Sequence, residues 1–332
     1  MVKKIINLFL RIIIYLLIFF SAGEIITRII GMKPLKTWYV TVEPQHFFQI
    51  DSLLGWKQAT GKFIITVLDT SNKFTATINS FGDRISSKDD FDTIFPHKPT
   101  IHMYGCSFIF GFSVADSATS SYKLQTLLPN YKVINKGVPG YGITQMYLSI
   151  KRSLIDRDTP VIAVFNYAYF HDDRTPLCRE WSSRFAYVIS QGNTHKFKKI
   201  NYPYMIYDNE KLKLYTKTFE NSIKDWPLRT KSSMINLLNS FYNFYIDEKG
   251  VKYRHLVAQK TALEIVEFCK LNHIIPIFTN VTPEIENRTF FQNLKDVGCY
   301  TINFNVPVMN DKDSTSIYNC GPSDPGHPSS YS

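Results

Sequence analysis

The chain has 332 residues, of which 44% are hydrophobic and 20% charged, an ordinary globular composition that excludes a disordered, collagen-like or disulfide-scaffold protein. Its formal net charge is +10, but six basic residues and one acidic residue precede residue 37, and no run of five or six like charges follows. Such a distribution argues against nucleic acid as a partner and for a terminus close to a membrane. The odd number of cysteines, without CxxC spacing, predicts neither a zinc site nor a complete disulfide framework, and one pair, Cys299 with Cys320, stays open.

The N-terminus predicts a membrane segment. Residues 5–22 are apolar apart from Asn7 and Arg11, and a run of this length can span a bilayer. Arg11 lies near one end of the run, where its long side chain can reach the headgroups. The two lysines before the run favour an N-in orientation, and no proline or paired glycine interrupts a helix before Gly31. We therefore predict an uncleaved single-pass anchor over residues 1–31, with the rest of the chain outside the cytoplasm. A cleaved signal peptide and a helix lying on the membrane surface are the alternatives.

The segment after the anchor, residues 32–97, is predicted to be a juxtamembrane region with short strands. Residues 63–68 and 74–78 alternate apolar and polar side chains, and turn-forming residues separate them. This pattern predicts a half-buried β-hairpin.

The remaining residues, 98–332, show strands alternating with helices. The predicted strands are 100–104, 131–135, 160–165 and 274–280, and the predicted helices are 120–128, 142–155 and 252–271. Alternation of this kind implies βαβ units, so we predict an α/β fold in which helices cover both faces of a parallel sheet. Residues 177–250 break the alternation and are predicted to be an insertion that covers or borders the site.

Two turns that follow strands contain residues suited to chemistry, because ligands of an open α/β sheet bind at the carboxyl ends of its strands. Residues 105–111 place Ser107 between a strand and a helix start, so that its hydroxyl can lie in the cleft. The alternative is that Ser107 only caps the helix. Residues 135–142 contain three glycines and a proline, and such a turn can expose a backbone N–H or be purely structural.

The C-terminal segment adds a carboxylate and an imidazole at short spacing. Asp324 and His327 are three residues apart around a Pro-Gly pair, so one turn can hold both side chains. The carboxylate could then orient the imidazole while the other ring nitrogen faces the cleft. A polar tail with an incidental histidine is the alternative.

In their order along the chain, these segments resemble the SGNH (GDSL-like) hydrolase superfamily, and specifically its membrane-anchored bacterial members. Residues 105–108 are similar to the block that carries the nucleophilic serine, here Ser107. Residues 135–142 are similar to the second block, with Gly140 in the place of the oxyanion-hole glycine, and Asp324 with His327 is similar to the last block. Three lead-in features are similar to the same anchored members: residues 51–56, residues 79–84, and the pair Glu24 and Arg28.

The resemblance implies a three-layer α/β/α sandwich and a Ser-His-Asp esterase that needs no metal or organic cofactor. In that mechanism His327 removes the proton of Ser107, and Asp324 holds His327 in the required tautomer. The amides of Ser107 and Gly140 would bind the oxyanion.

Two positions depart from the pattern of the superfamily. Cys106 stands where the superfamily has an aspartate that supports the turn. His171 stands where it has an asparagine that donates to the oxyanion, and an imidazole N–H can take that role. Alternatively, His171 is a buried ring held by Asp172 or Asp173. The other histidines, among them His255, match no motif and are predicted to be packing or surface residues.

For substrate and partners, the resemblance implies an acyl ester, with small acyl groups on cell-envelope carbohydrate as the first candidate. Membrane lipid would contact the N-terminal helix, and no nucleic acid is expected. The alternatives are an acyltransferase to a sugar hydroxyl and a catalytically degenerate envelope protein that binds glycan or a partner.

Overall fold

The computed structural model describes residues 2–35, 40–67, 72–89, 98–190, 199–219, 225–281 and 288–303. In chain order its helices are α1 (Val2–Ile29), α2 (Ser107–Phe110), α3 (Ser120–Leu127), α4 (Ile143–Ile155), α5 (His171–Arg174), α6 (Arg179–Ser190), α7 (Ser233–Ile246), α8 (Glu248–Leu271) and α9 (Arg288–Asp296). Its strands are β1 (Val40–Glu43), β2 (Phe48–Asp51), β3 (Gly55–Gln58), β4 (Gly61–Val67), β5 (Asn72–Ile78), β6 (Thr100–Gly105), β7 (Lys132–Gly137), β8 (Ile162–Tyr167), β9 (Asn201–Asp208), β10 (Lys211–Thr218), β11 (Ile275–Asn280) and β12 (Tyr300–Asn303).

A five-stranded parallel sheet forms the centre of the fold, in the order β12-β11-β8-β6-β7. The chain runs from β6 to its neighbour β7 and then returns across β6 to β8. The direction of winding therefore reverses between β6 and β8, and in sheets of this type ligands bind in the crevice outside that point. The predicted α/β fold with a parallel sheet is confirmed.

Helices cover both faces of this sheet, which gives three layers. On one face, α4, α8 and α9 pack against strand residues of which Tyr104, Phe165 and Phe278 stack with 5.1 Å between successive ring centroids. On the other face, α2 and α3 pack against a smaller apolar cluster that contains Met103 and Val133. The position of α2 on this second face is what brings Ser107 to the carboxyl edge of the sheet.

The predicted hairpin of the juxtamembrane region is confirmed as β4 and β5, to which β1 adds a third antiparallel strand. Arg84, just after β5, makes isolated bridges to Ile78 and to Asn135 of β7. The juxtamembrane strands are thereby joined to the edge of the parallel sheet. Their core surrounds Trp56, which is fully buried against aromatic rings of α6 and β9.

The predicted α3, α4 and α8 are confirmed to within a few residues of their expected ends. The predicted insertion contains elements that the sequence analysis did not assign, namely α6, α7 and the antiparallel hairpin of β9 and β10. The short strand β12 at the sheet edge was also not predicted.

The N-terminal segment is one continuous helix, α1, as predicted. Among the described residues it is the one helix that is long and apolar enough to cross a membrane, with a mean hydropathy of 2.3 over its most apolar window. A signal sequence would have the same properties. Thr27 is the one buried residue of α1, so its apolar surface is open along most of its length.

The C-terminal part of α1 is docked onto the folded domain at the first turn of α7. The carboxylate of Glu24 accepts hydrogen bonds from the Ser232 hydroxyl at 2.6 Å and from the amides of Ser233 and Met234 at 3.1 and 3.0 Å. These amides lie where a helix offers no carbonyl of its own. A β-carbon on Gly23 would lie 2.2 Å from the sulfur of Met234, so a side chain at position 23 would require the side chain of Met234 to move.

Candidate active site

Ser107 is the first residue of α2, two residues beyond the last residue of β6, and it is 7% exposed. Because β6 borders the point where the winding of the sheet reverses, this position is where a ligand of such a sheet is expected. The N-cap position belongs to Cys106, whose side chain makes no capping hydrogen bond and whose sulfur lies 3.9 Å from the Ser107 hydroxyl. Ser107 is therefore not the N-cap residue of α2, as the alternative interpretation required.

Two glycines allow α2 to lie directly on the strand ends. Gly105 and Gly137 are paired across β6 and β7. A β-carbon on Gly105 would lie 2.4 Å from the side chain of Ile109, and one on Gly137 would lie 2.3 Å from the backbone nitrogen of Phe110. Any side chain at either position would push α2 and its serine away from the sheet.

Asn135 ties α2 to the neighbouring strand and helix. Its amide nitrogen donates to the carbonyl of Ile109 at 2.8 Å and to the hydroxyl of Ser121 at 2.9 Å. Its oxygen accepts from the amide of Gly137 at 3.0 Å. The amide nitrogen and oxygen of this fully buried side chain thus link α2 to α3 and to β7.

The buried guanidinium of Arg84 holds the other end of α2. It donates to the carbonyls of Phe110 and Gly111 at 2.7 and 2.6 Å, which a four-residue helix leaves unpaired at its C-terminus. Its Nε donates to Asp116 at 2.9 Å, and its remaining donors bind two further backbone carbonyls. In the sequence, residues 79–84 were recognised only as similar to anchored members of the superfamily, and the role of Arg84 in positioning α2 was not predicted.

Gly140 occupies the third position of a tight turn after β7. The amide of Tyr141 donates to the carbonyl of Val138 at 3.1 Å, and Gly140 has a φ of 88°, as a type II turn requires. A β-carbon would lie 1.7 Å from the ring of Phe185. The indole N–H of Trp56 holds the same turn through the carbonyl of Pro139 at 3.1 Å. The glycine is therefore required both by backbone conformation and by packing.

His171 begins α5, just after β8, and its ring is fully buried. Its Nδ1 accepts a hydrogen bond from the amide of Ala168 at 3.1 Å, which assigns the proton to Nε2. Burial, with a smaller effect from the charge of Arg174, holds the pKa of His171 well below its ordinary value. The ring is therefore neutral, and its buried Nε2–H has no acceptor among the residues that the structure describes.

The alternative for His171, a ring held by Asp172 or Asp173, is wrong. Asp172 accepts from the hydroxyl of Tyr167 at 2.7 Å and contacts Nδ1 of His255 at 2.9 Å. Asp173 pairs with Arg254 at 2.6 Å. Both carboxylates face α8, whereas the His171 ring is turned back onto the end of β8.

The pair of His255 with Asp172 was not predicted. A hydrogen bond from the His255 imidazole to the Asp172 carboxylate raises the pKa of His255, which is partly exposed. The two residues are 83 positions apart and belong to no shared motif, so no local pattern could have indicated the contact.

The turns after β6 and β8 meet through aromatic rings. Phe108, next to Ser107, packs against Phe170, next to His171, with 5.7 Å between ring centroids. The guanidinium of Arg174 lies 4.2 Å from the centroid of the Phe170 ring. Ser107 and His171 thus belong to adjoining turns at one edge of the sheet. Asp324, His327 and Cys320 lie outside the described residues.

The sequence matches no family model and no curated protein. Among solved structures, the chain is similar to a G-D-S-L family protein described as lipolytic from Desulfitobacterium hafniense DCB-2, with 14% identity and a TM-score of 0.37 over 70% of this chain and 93% of that chain. It is similar to AlinE4, an SGNH-hydrolase family esterase, with 12% identity and a TM-score of 0.35 over 66% and 82% of the two chains. A GDSL-like lipase from Bacteroides thetaiotaomicron VPI-5482 matches with 13% identity and a TM-score of 0.34 over 70% and 82%. Values this low describe a distant likeness, which leaves the function to be inferred from this chain's own residues.

Proposed function

We propose that the chain is a serine esterase in which Ser107 is the nucleophile. The observation that carries the proposal is the position of Ser107 at the start of α2, beside the point where the winding of the sheet reverses. The glycine pair, Asn135 and Arg84 hold this helix in place from three sides. These contacts fix the position of Ser107, as is expected for a residue that must react with a substrate in a defined geometry.

In the proposed reaction, the Ser107 hydroxyl attacks the ester carbonyl while His327 takes its proton. Asp324 orients His327 and stabilises the imidazolium that forms. The proton then passes to the departing alcohol, which leaves an acyl group on Ser107. Water, activated by the same histidine, releases the acid and restores the hydroxyl.

The oxyanion of the tetrahedral intermediate would be bound by the amides of Ser107 and Gly140 and by Nε2–H of His171. The neutral state of the buried His171 ring supports this role, since its Nδ1 is already occupied and Nε2 carries the proton.

We further propose that α1 is a retained N-in anchor that places the esterase outside the cytoplasm. The docking of Glu24 onto α7 supports retention, because it makes the C-terminal part of the same continuous helix a component of the folded domain. Facing the envelope, the enzyme would act on O-acyl groups of envelope carbohydrate, the substrate class that the sequence resemblance suggests.

If α1 is retained, the protein should stay in the membrane when the membrane is washed with alkaline carbonate. After extraction in detergent, mass spectrometry of the purified protein should give the mass of the uncleaved chain. A mature protein that begins after the apolar run of α1 would instead establish a signal peptide.

The nucleophile can be tested with a fluorophosphonate probe, which reacts only with an activated serine. The full chain in detergent should be labelled, and peptide mass spectrometry should locate the adduct on Ser107. Heat-denatured protein serves as the control, because unfolding removes the activation. An intact, folded protein that fails to label would favour the catalytically degenerate alternative. If the protein is labelled, identifying the acyl acceptor distinguishes an esterase, which transfers the acyl group to water, from an acyltransferase, which transfers it to a sugar hydroxyl.

A further inference from the structure

Helix α7 has its polar side turned towards the protein and its apolar side turned outwards. Asn239 and Asn243 are buried at 0% and 3% exposure, whereas Phe241, Phe244 and Tyr245 are 64%, 57% and 73% exposed. A helix on the surface of a globular protein shows the opposite arrangement. The spacing of the three aromatic residues puts them on one face of α7, which we call the aromatic face.

A buried network of charges explains why the polar side must point inwards. Arg229, which is 1% exposed, binds Glu180 through two contacts of 2.5 and 2.6 Å. Asn243 donates to the same carboxylate at 3.0 Å, and the Ser240 hydroxyl donates to it at 3.1 Å. Asn239 accepts from the amide of Trp226 at 3.1 Å. Rotating α7 to bury the aromatic face would leave these polar groups without hydrogen-bond partners, which is energetically unfavourable. The aromatic face therefore stays on the outside.

The position of α7 indicates what covers the aromatic face. Its first turn is bound to Glu24 of α1, and Met234 packs against Gly23, so both contacts lie in the C-terminal part of α1. Phe241 and Tyr245 lie further along α7 than this first turn, about 12 and 18 Å from Ser233 at a rise of 1.5 Å per residue, so the aromatic face is within the length of one short helix of the proposed anchor. Arg28 pairs with Glu24 at 2.6 Å and donates to the backbone carbonyl of Lys231 at 3.2 Å, so the exposed residue Lys231 lies at the same junction.

We propose that α7 lies in the plane of the membrane, with Phe241, Phe244 and Tyr245 inserted at the boundary between lipid headgroups and acyl chains. This inference rests on the proposed anchoring role of α1. Aromatic side chains favour that boundary, and an exposed lysine such as Lys231 at the junction with α1 suits phosphate headgroups. A second contact beside the anchor would fix the rotation of the domain about the axis of α1, which a single membrane-spanning helix leaves free.

Spin labels on the full chain in phospholipid vesicles test this. Cysteine replaces one residue at a time in a Cys320→Ser background, because the four described native cysteines are buried. Phe244→Cys reports on the aromatic face and Ile13→Cys on the middle of α1. Leu127→Cys is the matched control, since Leu127 is an apolar residue on another helix and is 75% exposed. Circular dichroism checks that each variant is folded.

The measurement is the collision rate of each label with oxygen, which partitions into lipid, and with a water-soluble nickel complex. Labels at Ile13 and Phe244 should both favour oxygen, with Ile13 the deeper of the two, while the Leu127 label should favour nickel. A Phe244 label as open to nickel as the Leu127 label, with Ile13 still in lipid, would overturn the inference and leave the anchor intact. A Phe244 label that neither reagent reaches would overturn the inference too, because it would show that a protein partner or a second copy of the chain covers the aromatic face. An Ile13 label in water would remove both the anchor and the inference.

Discussion

Replacing Ser107 with alanine is expected to lower kcat for ester hydrolysis by roughly 10⁶-fold, the loss typical of removing the nucleophile from a serine triad. The hydroxyl is the attacking atom in the proposed reaction, so no acyl-enzyme can form without it. Substrate binding should change little, because the remainder of the site is untouched. Hydrolysis of a chromogenic acetate ester by the full chain in detergent measures the effect.

Ser120→Ala is the matched control for this variant. Ser120 is the first residue of α3, the equivalent position in the neighbouring helix on the same face of the sheet, and it is exposed. Its loss should leave kcat and the melting temperature unchanged. A Ser107→Ala variant that keeps a tenth or more of the wild-type kcat would show that another residue attacks the ester.

The central sheet could be predicted from the sequence because its strands and helices differ in periodicity and follow one another in a regular order. The strand 160–165 and the helix 142–155, for example, correspond to β8 and α4. The order of the strands, and with it the place where the winding reverses, could not be read in this way. That order depends on long-range pairing of strands, which local patterns do not report.

Helix α7 was missed for a different reason. Sequence interpretation assumes that the apolar side of a helix faces the core. In α7 the inward side includes Asn239, Asn243 and Ser240. Their partners include Arg229, just before α7, and Glu180, which is 60 positions from Ser240. A polar core of this kind becomes visible only when the partners are seen together.

At the site, the turns after β6 and β7 were predicted because glycines cluster where backbone must approach backbone, as Gly105 and Gly137 do. The contribution of Arg84 was not predicted, because a single arginine outside a run of charges cannot be distinguished in the sequence from an arginine on the surface. Its five donors all find oxygen acceptors inside the protein. For His171, the sequence offered two hypotheses, and only the structure showed that the aspartates bind elsewhere.

Replacing His171 with alanine is expected to lower kcat by about 10²- to 10³-fold, the usual loss for one oxyanion donor. KM should change much less, because the bond from Nε2 strengthens only as negative charge develops on the substrate. His171→Asn should keep most of the activity. Its side-chain oxygen can accept from the amide of Ala168 as Nδ1 does now, and its NH₂ group can donate to the oxyanion.

Stability against pH tests the buried, neutral state of His171 on which this role depends. The pKa of buried His171 is well below its ordinary value, so between pH 6.5 and that lowered pKa the unfolded chain binds a proton that the folded chain does not. The free energy of unfolding should therefore fall as the pH drops below about 6.5, by up to about 1.4 kcal/mol per pH unit from this one residue. His171→Asn should remove the part of that dependence that comes from His171, leaving the part from buried His102, and should still turn over substrate. His171→Ala should remove it too, but should lose stability at neutral pH as well, because the amide of Ala168 is left unpaired. Measurement of kcat, KM and melting temperature for both variants at pH 5.5 and 7.5 tests the assignment, and an alanine variant with wild-type kcat would exclude His171 from the oxyanion hole.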